Sequence, residues 1–369
     1  MERQGKHYGA ALKADELVRF IDHLLRVNLE AEAAGRRKAP LCIWGRHGIG
    51  KTEIVQDYAR RQGYPLVYIA PAQFEEMGDL LGMPRIQQRG DTEVTTFRPP
   101  DWAPVEAGPG ILLIDDVNRA DDRILRGLMQ LLQDYRLVSW ALPARWQIVL
   151  TANPDEGDYS VTPMDDSLLT RMRHVTLAFD LQTWARWAQD RGVDDRGIQF
   201  LLTFPDSITG RRTTPRTLVQ FFESITAIEN LEAELSLVQA LGEASLDEET
   251  VAAFVAFVQQ QLYRLPGPAE LLAADDFDKT VRSPLERIVT GAILRVDILA
   301  GLGTRLLHHL EQRPQLTKPE LHNLKAFLLL DFLPNDLRLR LTQAMAALET
   351  PGLLELLADP ELGDKMLNS

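Results

Sequence analysis

Short apolar runs alternate with amphipathic stretches in the first half of the chain. The runs cover residues 41–44, 66–69, 111–114 and 147–152. Between them, residues 51–61 and 125–132 carry apolar side chains three and four positions apart, as amphipathic helices do. Strands that are apolar along their length and alternate with helices are typical of a parallel sheet covered on both faces. This part of the chain is therefore predicted to be an α/β domain.

Helical spacing continues on both sides of this domain. Apolar residues recur at helical spacing from Leu17 to Leu25, and a polar linker that ends in Pro40 follows them. Beyond about residue 180, helical periodicity continues almost to the C-terminus and is broken only by clusters of glycine and proline. We predict an N-terminal helical segment at 1–38, an α/β core at 39–178 and an all-α region after it.

Two segments interrupt the alternation inside the core. Residues 71–109 are rich in glycine, proline and charge and predict a long loop, which in a compact domain is usually functional. Residues 137–142, with Trp140 at their centre, predict a hairpin inserted before the strand at 147–152.

The composition predicts a folded protein with an acidic surface. The hydrophobic fraction is 45%, the charged fraction is 25% and the net charge is -13. This charge argues against a general binder of duplex DNA. Acidic residues dominate 229–278, which indicates either a solvated helical face or a docking surface for a basic partner.

The cysteine content and the apolar runs exclude other classes of protein. Cys42 is the single cysteine, so an internal disulfide framework and a cysteine-rich zinc module are both ruled out. No apolar run approaches the ~18–20 residues that a membrane span needs. No apolar segment follows the first residues as it does in a secretory signal. We therefore expect a cytoplasmic protein with no membrane span.

A glycine-rich segment joins the first apolar run to the first helix of the core. This segment, the phosphate loop, consists of Gly45, Arg46, His47, Gly48, Ile49, Gly50, Lys51 and Thr52. It matches the phosphate-binding pattern, and its position between a buried strand and a helix is the expected one. Glycines let backbone N–H groups point at phosphates, and the helix N-terminus adds partial positive charge. Lys51 is expected to reach the β- and γ-phosphates and Thr52 to ligate Mg²⁺.

Two carboxylates follow the apolar run at 111–114. Because the carboxyl ends of parallel strands share one edge of the sheet, Asp115 and Asp116 are expected to lie beside the phosphate loop. Asp115 is predicted to hold the Mg²⁺, and Asp116 to orient the attacking water.

These motifs, in this order, resemble the MoxR branch of the AAA+ ATPases, which is allied to the dynein-related group. Asp115 to Ala120 resembles that family's Walker B strand end and turn, and the segment that ends at Asn153-Pro154 resembles its sensor-1 segment. By this resemblance Asn153 senses the γ-phosphate. Residues 166–172 resemble the short helix that ends in the arginine finger, which makes Arg171 the finger and Arg173 its competitor. Thr214-Pro215-Arg216 resembles the sensor-2 motif, so Arg216 is expected to meet the γ-phosphate, with Arg211 and Arg212 as rivals.

The resemblance implies a P-loop AAA+ core followed by a helical lid at 179–265 and an all-α extension at 266–369. It implies ATP hydrolysis with Mg²⁺ in a ring, expected to be a hexamer, that remodels or activates a protein partner. In this family the partner is often a von Willebrand factor A-type protein. It also implies that residues 74–83 face a central pore. The alternative is that this segment is a packed loop, which would explain the same apolar residues.

One departure from the family pattern leaves the function open. The family usually has glutamate where this chain has Asp116, so hydrolysis is expected to be slow. A nucleotide-dependent assembly switch or scaffold therefore remains an alternative. A nucleic-acid motor, like the GTP-using restriction ATPases of the same branch, is a weaker one because the chain is acidic.

Overall fold

The computed structural model describes residues 8–154, 161–208, 210–260, 265–290, 294–313, 315–348 and 350–367. The chain divides into two compact units, Met1–Asp180 and Leu181–Ser369. The division lies where the alternation of strands and helices ends.

The first unit contains strands and helices. Its strands are β1 (Ala10–Leu12), β2 (Leu41–Trp44), β3 (Leu66–Ile69), β4 (Met83–Arg89), β5 (Thr92–Arg98), β6 (Gly110–Ile114), β7 (Arg136–Leu137), β8 (Trp140–Ala141), β9 (Trp146–Ala152) and β10 (Arg173–Leu177). Its helices are α1 (Ala14–Ala33), α2 (Lys51–Gln62), α3 (Met77–Leu81), α4 (Asp122–Asp134) and α5 (Asp166–Leu169), with short 3₁₀ turns at Pro71–Gln73 and Val117–Arg119.

Within the described residues, the central sheet has six parallel strands in the order β1-β10-β2-β9-β6-β3. Successive side chains of a strand point to opposite faces, so the apolar strands supply two cores. Leu41 and Ile43 pack with α1 and α2, whereas Cys42 and Trp44 pack on the face that α4 covers. The predicted parallel α/β core with helices on both faces is confirmed.

The N-terminal segment belongs to this unit. β1 pairs in parallel with β10 at one edge of the sheet, and Leu17 and Ile21 of α1 are fully buried in the core beneath β2. The helix at the start of the chain was predicted, but the strand before it was not. Three residues form too short a pattern to be recognised without the strand that they join.

The prediction of a long loop at 71–109 was wrong. This segment contains α3 and an antiparallel hairpin of β4 and β5, whose two-residue turn has Gly90 at φ +62°. Every residue of β4 is exposed, so the burial alternation that normally identifies a strand is missing. The apolar side chains of 74–81 pack against the core, with Leu80 fully buried. The hairpin predicted at 137–142 is present as β7 and β8.

The second unit is helical throughout its described residues. Its helices are α6 (Leu181–Asp190), α7 (Asp195–Thr203), α8 (Pro215–Ile225), α9 (Leu235–Ser245), α10 (Glu248–Gln259), α11 (Pro268–Ala273), α12 (Ser283–Val289), α13 (Val296–Glu311), α14 (Lys318–Leu328), α15 (Asn335–Ala346), α16 (Leu353–Leu357) and α17 (Pro360–Leu367). A 3₁₀ turn lies at Pro205–Ile208 and a π-helical turn at Asp278–Arg282.

A group of aromatic rings forms part of the core of the second unit. Phe254 contacts Phe200 and Phe221 edge to face, with ring centroids 5.0 and 4.9 Å apart. The predicted all-α region is thus present, whereas its division into a lid and an extension at residue 265 stays a prediction. Among the helices described, none combines the length and the apolar composition that a membrane crossing requires.

Candidate nucleotide-binding site

Three neighbouring strands bring the predicted site residues to one edge of the sheet. β9 lies between β2 and β6, with Trp44 beside Ala152 and Ile114 beside Leu150. The phosphate loop follows β2, the two aspartates follow β6, and Asn153 follows β9. Because the strands are parallel, their carboxyl ends form a single crevice, which is where ligands bind in open α/β sheets.

The phosphate loop has the backbone geometry of an anion site. Gly48 and Gly50 adopt φ +69° and +100°, which other residues rarely reach without strain. Within the described part of the chain, the amide N–H groups of these two glycines meet no acceptor. The first turn of α2 adds N–H groups that lack an intrahelical partner. These donors fit the oxygens of a phosphate chain.

Lys51 fixes the loop from inside. Its side chain is 5% exposed, and its Nζ donates to the carbonyl oxygens of Gly45 and Arg46 at 2.8 and 3.1 Å. It also donates to Oδ1 of Asn153 at 2.9 Å. These three oxygens hold the ammonium group at the loop, where its charge can compensate that of phosphates.

Thr52 and Asp115 lie side by side. The Thr52 hydroxyl donates to Asp115 Oδ1 at 2.6 Å, and the Thr151 hydroxyl donates to the same oxygen at 2.7 Å. The Tyr68 hydroxyl donates to the other carboxylate oxygen at 3.0 Å. Hydroxyl and carboxylate oxygens are the ligands that Mg²⁺ prefers, usually one or two from the protein with the rest from phosphates and water. The donor set at Thr52 and Asp115 thus fits Mg²⁺ bound with a nucleotide.

Asp116 is held in a fixed position beside this pair. Its backbone has φ +46° and ψ +46°, a left-handed conformation that aspartate tolerates better than most residues. Its N–H donates to the Thr151 hydroxyl at 2.8 Å. One carboxylate oxygen accepts from Asn153 Nδ2 at 2.9 Å, and the other lies 3.2 Å from Nε of Arg119.

Asn153 is the centre of this network. It is 1% exposed, and its side-chain amide bridges Lys51 and Asp116. Asn118 orients it from behind, because the two asparagines exchange hydrogen bonds of 2.7 and 3.1 Å between side chain and backbone. The sequence motifs predict no role for Asn118 or Thr151. Both lie inside the recognised motifs, but only the register of β6 and β9 shows what they contact.

Arg171 lies near the amino ends of the strands, whereas the phosphate loop lies at their carboxyl ends. Arg173 begins β10 beside Leu41, the first residue of β2, and its N–H donates to Pro40 O at 2.8 Å. Arg171 precedes it by two residues, whereas the phosphate loop begins where β2 ends, about 13 Å away along a four-residue strand. Arg171 Nε donates to Gln133 Oε1 at 2.9 Å. The structure therefore does not bring Arg171 or Arg173 to the phosphate loop of the same chain.

Arg216 lies in the second unit, in the first turn of α8. Thr214 caps this helix by accepting from the N–H of Thr217, and Pro215 begins it. The Arg216 side chain is exposed. Arg212 is instead engaged by the carbonyl groups of Glu243 and Ala244. Arg212, an alternative to Arg216 as the sensor-2 residue, thus already forms hydrogen bonds within the second unit.

An aromatic cluster supports the start of the phosphate loop. The Trp44 indole donates to His174 Nδ1 at 2.9 Å, and His174 Nε2 lies 2.8 Å from Leu169 O. These two contacts fix the orientation of the His174 ring. Tyr8 stacks on Trp44 with ring centroids 3.8 Å apart. Burial raises the pKa of the neighbouring Cys42 thiol, although the charge of Lys51 opposes the shift, so Cys42 is a core residue and not a nucleophile.

The comparisons with known proteins agree with the class of site. Residues 40–172 match the model of the AAA domain, dynein-related subfamily. Solved structures that resemble the chain include two variants of RuvB from Thermotoga maritima. One variant is 16% identical with a TM-score of 0.39, and the match covers 74% of this chain and 90% of the RuvB chain. The other is 17% identical with a TM-score of 0.40, and the match covers 74% of this chain and 89% of the RuvB chain. Both TM-scores are below 0.5. No curated protein matches the chain.

The match and the geometry define residues 40–172 as an AAA+ ATPase domain. Its candidate nucleotide site is the crevice at the carboxyl ends of β2, β6 and β9.

Proposed function

We propose that the protein is a Mg²⁺-dependent ATPase of the MoxR type that forms a ring and remodels or activates a protein partner. The observation that carries the proposal is the continuous network from Lys51 through Asn153 to Asp116, beside the Thr52–Asp115 pair. This arrangement contains the parts that phosphoryl transfer needs, namely a phosphate cradle, metal ligands and a carboxylate that can face water.

Each residue of the network has a distinct part in the proposed reaction. The phosphate loop and Lys51 bind the β- and γ-phosphates, and Thr52 and Asp115 would hold the Mg²⁺. The metal supplies positive charge to the phosphate oxygens. Asp116 accepts a hydrogen bond from water and orients it, while Asn153 keeps the carboxylate and Lys51 in register. Phosphoryl transfer depends mainly on such positioning and on fixed charge.

The position of Arg171 supports the proposal of a ring. An arginine near the amino ends of the strands cannot act on the phosphate loop of its own chain, but it can act on that of a neighbouring copy. Repetition of the same head-to-tail contact closes a ring, which we propose to be a hexamer. Arg216 is proposed to meet the γ-phosphate of its own chain through movement of the helical unit, which makes residues 179–265 a lid.

The partner is proposed to be a protein, with a von Willebrand factor A-type protein as the first candidate by family resemblance. We place the reaction in the cytoplasm, where ATP is available. A nucleotide-dependent assembly switch with weak hydrolysis is the second candidate. It is favoured by Asp116, whose side chain is one methylene shorter than glutamate and is already paired with Arg119.

ATP binding and turnover of the purified chain test the proposal. Lys51→Ala removes the charge that compensates the β- and γ-phosphates, so calorimetry should show the loss of tight ATP binding and turnover should cease. Arg61→Ala, at an exposed position near the end of α2, is the matched control and should change neither. Unchanged ATP affinity in folded Lys51→Ala protein would overturn the assignment of the site.

A further inference from the structure

A tyrosine of β3 reaches the carboxylate of the candidate metal site. Tyr68 lies beside Leu113 in the pairing of β3 with β6, two residues before Asp115. The N–H of Asp115 continues this pairing by donating to Ile69 O at 2.8 Å. From this position the Tyr68 hydroxyl donates to Asp115 Oδ2 at 3.0 Å. The strand register therefore brings the phenol to Asp115.

The hydrogen bonds at Asp115 leave one acceptor position on its carboxylate. An ionised carboxylate has about four lone-pair sites on its two oxygens. Oδ1 accepts from the hydroxyls of Thr52 and Thr151 at 2.6 and 2.7 Å, which occupies both of its sites. Oδ2 accepts from Tyr68, so within the described part of the chain one site on Oδ2 is left. This oxygen is the one that can face a metal ion or a water molecule bound to the ion.

The three hydroxyls together fix the plane of this carboxylate. The terminal torsion of an aspartate side chain is broad, so rotamer preference alone does not set the direction of its oxygens. Thr52 and Thr151 hold Oδ1, and Tyr68 holds Oδ2. The donors belong to α2, β9 and β3, three separate elements of the first unit. Loss of the Tyr68 hydroxyl would leave Oδ2 without the bond that fixes it.

Burial does not account for the hydroxyl of Tyr68. Its neighbours Leu66 and Val67 pack against the two cores of the unit, whereas the Tyr68 side chain is 46% exposed. Aromatic residues fit strands well, and phenylalanine would fit this position as tyrosine does. The hydrogen bond to Asp115 is what the hydroxyl adds.

We propose that Tyr68 is a positioning residue of the metal site. Its hydroxyl keeps the remaining acceptor site of Asp115 in one place for the Mg²⁺ that Thr52 and Asp115 would hold. Groups that orient metal-binding side chains typically change metal affinity about 10–100-fold when they are removed. The inference rests on the proposed function, because it concerns the metal ion of the proposed ATPase.

Tyr68→Phe tests the inference, since it removes the hydroxyl and keeps the ring. Mn²⁺ is the probe, because it prefers the same oxygen ligands as Mg²⁺. It is titrated into protein mixed with a smaller amount of ADP, and EPR measures the ion that stays free. The Kd for Mn²⁺ should rise about tenfold or more. ADP binding in EDTA should be unchanged, because the phosphate loop and Lys51 are intact, and this measurement also verifies the fold.

Steady-state hydrolysis gives a second measurement. Half-maximal hydrolysis by Tyr68→Phe should need about tenfold more Mg²⁺, whereas the rate at saturating Mg²⁺ should stay close to that of the wild type. A purely structural role would lower the melting temperature without changing the Mg²⁺ requirement.

Tyr58→Phe is the matched control. The Tyr58 hydroxyl also donates to a carboxylate, Asp22 Oδ1 at 3.1 Å, but this pair joins α2 to α1. The control variant loses the same group and should bind Mn²⁺ as the wild type does. Since Tyr58 is buried, its loss of a hydrogen bond should affect the melting temperature more than the metal affinity.

The outcomes separate this inference from the proposed function. Equal Mn²⁺ affinity of Tyr68→Phe and wild type would overturn the inference and leave the proposed ATPase standing. An equal loss of Mn²⁺ affinity in both phenylalanine variants would also overturn it, because the effect would not be specific to Asp115. A wild type that neither binds Mn²⁺ with ADP nor hydrolyses ATP would refute the proposed function, and the inference with it.

Discussion

Replacement of Thr151 by valine removes one hydroxyl that positions both aspartates of the site. Thr151 is fully buried. Its hydroxyl donates to Asp115 Oδ1 at 2.7 Å and accepts from the N–H of Asp116 at 2.8 Å. Valine has nearly the same shape, so Thr151→Val deletes these two hydrogen bonds without opening a cavity.

The structure sets the size of the effect. The N–H of Asp116 loses its acceptor, and an unsatisfied buried polar group costs about 1–3 kcal/mol. The melting temperature should fall by about 2–4 °C for each kcal/mol in a unit of this size. Asp115 keeps its bonds from Thr52 and Tyr68, whereas the left-handed backbone at Asp116 is no longer pinned. We therefore expect kcat to fall about 10²-fold, which is the effect of a misplacement of about 1 Å.

The assay combines calorimetric ATP titration, steady-state hydrolysis and thermal unfolding. ATP affinity should be nearly unchanged, because the contacts of Lys51 and of the phosphate loop remain. Thr151→Ser keeps the hydroxyl and is the control, with kcat close to that of the wild type. If valine and serine variants hydrolyse ATP equally fast, the hydroxyl does not position the aspartates and the reasoning is wrong.

Three other predictions follow from the geometry. Asp116→Glu should speed single-turnover hydrolysis about tenfold or more, because the longer side chain moves the carboxylate by about one bond length. Arg171→Ala should abolish assembly-dependent hydrolysis but not ATP binding, and mixing it with Lys51→Ala protein should restore some activity. Gly197→Ala should destabilise the helical unit by about 1–3 kcal/mol, since a Cβ there would lie 2.3 Å from a phenylalanine ring of α8. Gly363→Ala, which meets open space in α17, is its control.

Each of these predictions has a contrary outcome. A slower Asp116→Glu enzyme would mean that aspartate is the better residue here, and the slow-switch alternative would lose its support. Mixed assemblies that form without regaining hydrolysis would argue against an arginine supplied by the neighbouring chain. Equal melting temperatures for the two glycine variants would show that the phenylalanine ring of α8 moves aside without loss of stability.

Much of the ATPase domain could be predicted because its signals are local. Fully apolar runs identify buried strands, and the glycines of the phosphate loop identify a turn that other residues cannot make. Asp115 and Asn153 end such strands, so the parallel arrangement alone brings them together. The contacts of Thr151 and Asn118 could not be predicted, since they depend on the register between β6 and β9.

Other parts lacked a local signal. β4 is exposed along its length, and polar residues at a surface carry no burial pattern. Tyr68 meets Asp115 only because β3 and β6 pair in the register that they do. Arg171 and Arg216 were recognised by resemblance, but their proposed action depends on a second copy of the chain or on movement of a unit, which a single folded chain does not determine.

The edge strands have a consequence for how the domain can be isolated. The segment that matches the AAA-domain model covers residues 40–172, whereas β1, α1 and β10 lie outside it. A fragment cut at those limits would leave one edge of β2 bare and uncover the apolar face that α1 normally shields, two features that favour aggregation. The matched segment is thus smaller than the compact unit that contains it. A fragment that starts at residue 8 and ends at 180 retains every strand of the described sheet, and it is the smallest piece in which we expect the crevice to keep its shape.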